Sequence, residues 1–321
     1  MKIKMNYKKI YELVLDLEKL QDELKDDNII ALDFGNSNFI NPWVYLILSS
    51  WIIKNKSNGL NFNFKLENID NKNVVDYASR INFFDLIGYK YKENFIRHKS
   101  KGKFIPLNKI NSNNLMIIPT EITKIFINLC NLESKESEDE NYNIMYMIEY
   151  CLTEVIENID RHSEAKTDGL IIVQPYKNNE EIDVCVVDTG IGIPNALRKT
   201  EKYRHLTDKE CVMYATDKNI KTEGLENEGQ GNGLYILKKL IKSMSGELRI
   251  ISGNGAYVLN HNQETTFNLG CKWGGTIVQF KYKYSQKVDI RSIMGGDYIP
   301  YSTYLDGRID LSNEIDEYLN F

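Results

Sequence analysis

The run IDVCVVD, Ile182 to Asp188, reads as a buried strand, and it ends on an acidic residue followed at once by Thr-Gly-Ile-Gly-Ile-Pro. Its run of valines fits a buried strand. Taken singly, the aspartate is a turn cap and the glycines are turn residues. Two flanking stretches change that reading. Upstream, MIEYCLTEVIENIDRHS (Met147 to Ser163) puts Ile148, Cys151, Leu152, Val155 and Ile159 on one helical face. Glu154 and Asn158, one turn apart, share another face and can point into one cleft. Downstream, ENEGQGNGLYILKKLIKSMSG (Glu226 to Gly246) alternates Gly229, Gly231 and Gly233 before an amphipathic helix bearing Leu234, Leu237, Leu240 and Ile241.

The chemistry of these residue types is specific. Asp188 can accept a hydrogen bond from an amino group, while Gly190 and Gly192 let the backbone approach a flat ring closely. Bare glycine N–H groups at a helix N-terminus make an anion site, with phosphate as the natural guest. Two rival phosphate motifs are excluded. A Walker loop needs Gly-Lys-Ser/Thr where this chain has Gly233-Leu234-Tyr235, and a dinucleotide fingerprint needs a third glycine at Leu234 and a preceding strand. The preceding NIKTEGLENE (Asn219 to Glu228) is polar and does not read as a strand. On their own, Glu154 and Asn158 read as solvated surface residues; the order of the three stretches makes them part of one site.

Further on, GELRIISGNGAYVLN (Gly246 to Asn260) reads as two strands round a glycine turn, and GGTIVQFKY (Gly274 to Tyr282) as another strand. In order and approximate spacing, Lys103 to Tyr282 resembles the ATPase superfamily of gyrase, heat-shock chaperones, histidine kinases and MutL, usually called GHKL. ENIDRHS (Glu157 to Ser163) looks closest to anti-sigma-factor serine kinases and bacterial histidine kinases. The resemblance implies a Bergerat-type α/β sandwich, a mixed sheet with helices on one face, that binds ATP with Mg2+. It implies that Asp188 accepts the adenine amino group, that Gly190 and Gly192 lie under the adenine, and that Thr276 supports the base through water. It likewise implies that Asn158 holds Mg2+, that Gly229, Gly231 and Gly233, with Leu234 next in line, bind the phosphates, and that Glu154 activates water. Residues 195–228 fall where the family carries its ATP lid, from which Lys218 or Lys221 can reach the γ-phosphate, although solvated lysines are the better expectation there. His162 is expected to be structural or a phosphate neighbour, not a phospho-acceptor. His98 sits in polar FIRHKSKG and not in a helical hairpin, so an orthodox histidine kinase is not expected.

Before residue 100 the chain reads as a small α/β layer. An amphipathic helix carries Ile10, Leu13, Val14, Leu17, Leu20 and Leu24, a stripe that suits packing on its own domain better than a homodimer seam. NIIALDF (Asn28 to Phe34) and LNFNFKL (Leu60 to Leu66) are strands; INPWVYLILSSWII (Ile40 to Ile53) is a buried helix with Asn41 as cap and Pro42 in its first turn. A helix over Asn71 to Gly88 follows. This part resembles the STAS fold of anti-sigma-factor antagonists, but INPW stands where that family has its phosphorylatable serine. The layer is therefore expected to recognise a partner without being a phosphorylated switch. The expected limits are 1–100 for this domain, 103–285 for the ATP-binding domain and 286–321 for a tyrosine-rich tail.

Composition narrows the function classes. A formal charge of −5 argues against a broad nucleic-acid surface. Charges interrupt the apolar runs of the first residues, so no signal peptide is read, and the longest apolar run is too short to span a bilayer. A cytoplasmic protein is expected. Its cysteines, at 130, 151, 185, 211 and 271, lie far apart in apolar runs and read as core residues. The acidic LESKESEDENYN (Leu132 to Asn143) reads as a solvated loop between helices. Together these readings point to an Mg-ATP-dependent ATPase or kinase acting as a switch on a protein partner. The alternative is a non-catalytic module in which ATP only sets the conformation.

Overall fold

The computed structural model describes residues 1–111, 113–115, 117–130, 138–162, 167–217, 233–286, 288 and 293. The first element is one that the sequence pattern had hidden under an amphipathic helix. Ile3 and Met5 are buried and alternate with exposed Lys2 and Lys4, forming β1 (Lys2–Lys4) ahead of α1 (Ile10–Gln21). On α1, Ile10, Leu13, Val14 and Leu17 are buried within the chain. β2 (Asp27–Asp33), α2 (Pro42–Ser57) and β3 (Asn61–Glu67) follow as expected, except that Asn41 makes no side-chain cap. The expected second helix divides into α3 (Lys72–Arg80) and α4 (Phe83–Ile87). Asn82 between them takes a left-handed φ of 66°, through which a right-handed helix cannot run. Three parallel strands, β1-β2-β3, alternating with helices make the N-terminal α/β layer.

The rest comprises β4 (Ile105–Ile110), α5 (Ile117–Cys130), α6 (Glu138–His162), β5 (Gly169–Tyr176), β6 (Glu181–Val187), α7 (Gly192–Leu197), α8 (Asp208–Tyr214), α9 (Gly233–Ser243), β7 (Glu247–Asn260) and β8 (Gln263–Lys283). Five strands form one sheet in the order β4-β5-β6-β8-β7. The α/β sandwich expected from the sequence is present, but every described pairing in this sheet is antiparallel, not mixed. Its strands meet as hairpins, β5 with β6 and β7 with β8, which forces opposite directions. Residues 138–143 of the acidic stretch belong to α6, not to a loop; its earlier part lies outside the described residues.

The Val-rich run explains the layering. In β6, Val184 and Val186 belong to the core under α5, α6 and α9, with Phe126, Leu152, Ile156 and Leu237. Cys185 and Val187 belong to a second core that continues into the N-terminal layer. Successive side chains of a strand face opposite ways, so β6 is covered on both faces. Helices therefore flank both sides of the sheet, where the sequence reading placed them on one. α2 is the covering element, and its Val44, Leu46, Ile47 and Leu48 have no exposed surface, as befits a helix that is apolar all round. Burial of each such side chain contributes roughly 1.5–3 kcal/mol.

The expected turn at Gly253-Asn-Gly255 is not a turn. β7 runs straight through it with a shift of register, and the reversal comes at His261. A Cβ on Gly255 would strike the Asp208 backbone, so this glycine serves the close approach of α8. Cys151, Cys185, Cys211 and Cys271 are buried and free, as core residues should be. Of the tail, Ile293 is buried against the α9 side of the core, and Lys239 Nζ donates to its carbonyl at 2.9 Å. Among the described residues no helix is long and apolar enough to cross a membrane.

Candidate functional site

Asp188 leaves β6 at the point where the chain must turn, and it is 5% exposed. Its backbone is clamped to β8: its N–H donates to the Thr276 carbonyl at 2.9 Å, and the Trp273 indole donates to its own carbonyl at 3.0 Å. Its carboxylate is held as firmly. Oδ1 accepts the Gly190 N–H at 2.8 Å and Oδ2 accepts the Thr276 N–H at 3.1 Å. Burial pushes its pKa up to about 6, against the pull of those N–H groups, the Thr276 hydroxyl and the Lys54 charge. At neutral pH it is an ionised acceptor.

The glycines around it are there for space. Gly192 has φ +76°, and a Cβ there would sit 2.6 Å from Ser252 Oγ and 2.8 Å from the Gly275 carbonyl. Ser252 ties the pieces together: its Oγ accepts the Ile193 N–H at 2.8 Å, donates to the Gly275 carbonyl at 2.7 Å and lies 3.3 Å from Thr276 Oγ1. Gly275 has φ +131°, and a Cβ there would run into the Asp188 carbonyl. Gly275→Ala should therefore destabilise the fold by roughly 2 kcal/mol or more and lower the melting temperature by several degrees. A scanning-calorimetry trace matching wild type would contradict this packing.

Glu154 and Asn158 lie one turn apart on α6, both partly exposed. The N-terminus of α9 comes directly against the first of them. A Cβ on Gly233 would sit 3.0 Å from Glu154 Cγ and 3.1 Å from its Oε2. A carboxylate thus stands beside the positive end of a helix, the position where an anionic group is stabilised. One turn on, Ile159 presses on Gly169, where a Cβ would also lie 3.4 Å from the Val187 carbonyl. So α6 packs where β6 delivers Asp188, linking the two halves of the site. Leu234 is half-buried against the main core.

The structure therefore brings Asp188, Gly190, Gly192 and Thr276 into one constellation and Glu154 and Gly233 into another, with Asn158 on the connecting helix. Gly229, Gly231, Lys218 and Lys221 lie outside the described residues, as does the His162 side chain. The expected lid over 195–228 is described only to residue 217, and that part is packed. Leu197, Tyr203, Leu206 and Cys211 share a small core, Arg198 bonds Asp208 at 2.6 Å, and Asp208 accepts the Asn254 N–H of β7 at 2.8 Å. Sequence reasoning missed Ser252, Trp273, Gly275 and Lys54. Gly275 and Trp273 stand just before Thr276 in WGGT and were open to notice; Lys54 carries no local signal, because another layer brings it in.

Among protein families, the one described as Histidine kinase-, DNA gyrase B-, and HSP90-like ATPase matches residues 147–284, a span that holds Glu154, Asn158, Asp188 and Thr276. No curated protein matches the chain.

Proposed function

We propose, on the premise that residues 147–284 are a domain of the histidine kinase-, DNA gyrase B- and HSP90-like ATPase family, that this chain is an Mg-ATP-dependent switch acting on a protein partner. The family implies ATP binding with ATPase- or kinase-type activity. The observation that carries the reading to particular residues is the Asp188 carboxylate, buried and ionised, with both oxygens aligned by backbone N–H groups.

In this reading Asp188 accepts the adenine amino group, Gly190 and Gly192 leave room for the ring, and Thr276 supports the base. Gly229, Gly231 and Gly233, with Leu234 behind them, bind the phosphates at the start of α9. Among the described residues there is no cluster of three or more His, Cys, Asp or Glu that could hold a metal. Mg2+ keeps water and substrate phosphates as most of its ligands and asks the protein for one or two oxygens. Asn158 would supply such an oxygen; bound there, Mg2+ would neutralise phosphate charge. Glu154, beside α9, would take a proton from an attacking water. A partner hydroxyl or imidazole in place of that water would make the chain a kinase. The N-terminal layer, resembling STAS domains and docked on the sheet, is the proposed partner-recognition element.

The test is ATP labelled at the γ-phosphate, incubated with the full chain alone and with a candidate partner. Free phosphate supports the hydrolase, labelled partner supports the kinase, and tight binding with neither supports the non-catalytic module. ATP affinity should also depend on pH with a defined sign. Because burial raises the Asp188 pKa from its ordinary 3.8 to about 6, the folded state takes up this proton first as pH falls. Affinity for ATP should therefore drop as pH falls through about 6, while this group makes the unliganded fold relatively more stable over the same interval. Affinity that stays level from pH 7.5 to 5.5 would contradict the assignment.

A further inference from the structure

We infer that Lys54, contributed by α2 of the N-terminal layer, is a positioning residue for the nucleotide-binding carboxylate of Asp188, its ammonium keeping that group ionised from behind the sheet. The inference rests on the ATP-site reading above. Lys54 belongs to a helix outside the span that matches the ATPase family, yet it ends at the site. Its Nζ lies against Gly274, where a Cβ would be only 2.7 Å away, on the strand segment that carries Gly275 and Thr276. It is half-buried, and among the described residues no carboxylate forms an ion pair with it. A cation withdrawn from water needs a compensating field. Asp188 supplies it: burial lowers the Lys54 pKa and the Asp188 charge raises it, while Lys54 in turn holds the Asp188 pKa down.

The surroundings of Asp188 leave this role to Lys54. The turn after β6 supplies the Gly190 N–H, and β8 supplies the Thr276 N–H and hydroxyl and the Trp273 indole. Ser252 of β7 bonds Ile193 and Gly275, and on the α7–α8 side Arg198 and Asp208 are bonded to each other. The charge that holds the Asp188 pKa down is that of Lys54, which comes from α2. The consequence is coupling. Displacement of α2 by a partner would move Lys54 and let the buried carboxyl protonate, so that the N-terminal layer reports on the base and the base on the layer.

The experiment is calorimetric titration of the full chain with ATP between pH 5.5 and 8.5, in excess Mg2+ so that the nucleotide phosphates stay ionised. In Lys54→Met, the fall in ATP affinity should begin at higher pH, its midpoint moved up by about one unit. Lys54→Arg should restore the wild-type profile. Gly274→Ala keeps the charge but pushes Nζ away, and should move the midpoint in the same direction by a smaller amount. A purely structural lysine would alter melting temperature, or affinity at every pH alike, without moving the midpoint. Melting curves identify any variant that fails to fold, in which case the Gly274→Ala profile decides. Midpoints for Lys54→Met and Gly274→Ala that coincide with wild type overturn the inference while leaving ATP binding standing. A wild-type chain that binds no ATP at any pH overturns the ATP reading itself.

Discussion

Glu154→Gln should bind ATP as wild type does and hydrolyse it about 10²–10⁴-fold more slowly, the usual loss when a general base is removed. Glutamine keeps the size of the side chain against Gly233, so the N-terminus of α9 remains packed, and only the ability to accept a proton is lost. Glu154→Ala should show the same kinetics, with a modest loss of stability where its carboxylate no longer sits beside the helix end. Asn158→Ala should differ from both, weakening binding and turnover together, because an oxygen offered to Mg2+ acts on nucleotide affinity as well as rate. Phosphate release and equilibrium binding measured side by side separate these outcomes. If Glu154→Gln and wild type turn over equally, with and without a partner, Glu154 is not the base.

Asp188→Asn should weaken ATP binding by roughly 1.5–3 kcal/mol, a ten- to hundredfold loss or slightly more, since a hydrogen bond to a charged group disappears. The geometry adds to the effect. Both carboxylate oxygens already accept N–H groups, from Gly190 and Thr276, and an amide has only one oxygen to give. Its NH2 would face one of those donors. Discrimination between ATP and GTP should shrink with it, because guanine offers a carbonyl where adenine offers an amino group. Binding of both nucleotides by calorimetry, with a melting curve to show that the variant is folded, measures this directly.

What was legible in the chain follows from the range of the interactions involved. The strand ending in Asp188, the helix carrying Glu154 and Asn158, and the glycines leading into α9 are local patterns, and Gly233 against Glu154 confirms that two of them meet. The layering was legible only in part. The Val-rich run reads as buried, but nothing within it says that both faces are covered or that the second cover is α2, which lies more than a hundred residues earlier. Gly253 and Gly255 were misread for a similar reason. A glycine that makes room for α8 and a glycine that makes a turn look alike until Asp208 is seen beside them. β1 was overlooked because a few alternating residues weigh little beside the longer helical stripe that follows. Lys54 was invisible altogether, since its meaning depends on a tertiary contact with Gly274.

Calorimetric titration of the full chain at pH 7.5 with Mg2+, first with ATP and then with GTP, tests most directly whether the site around Asp188 binds ATP by its base. Saturable binding of ATP at a single site, with GTP markedly weaker, is the predicted result. No binding of ATP, or equal binding of ATP and GTP that Asp188→Asn leaves unchanged, would contradict it.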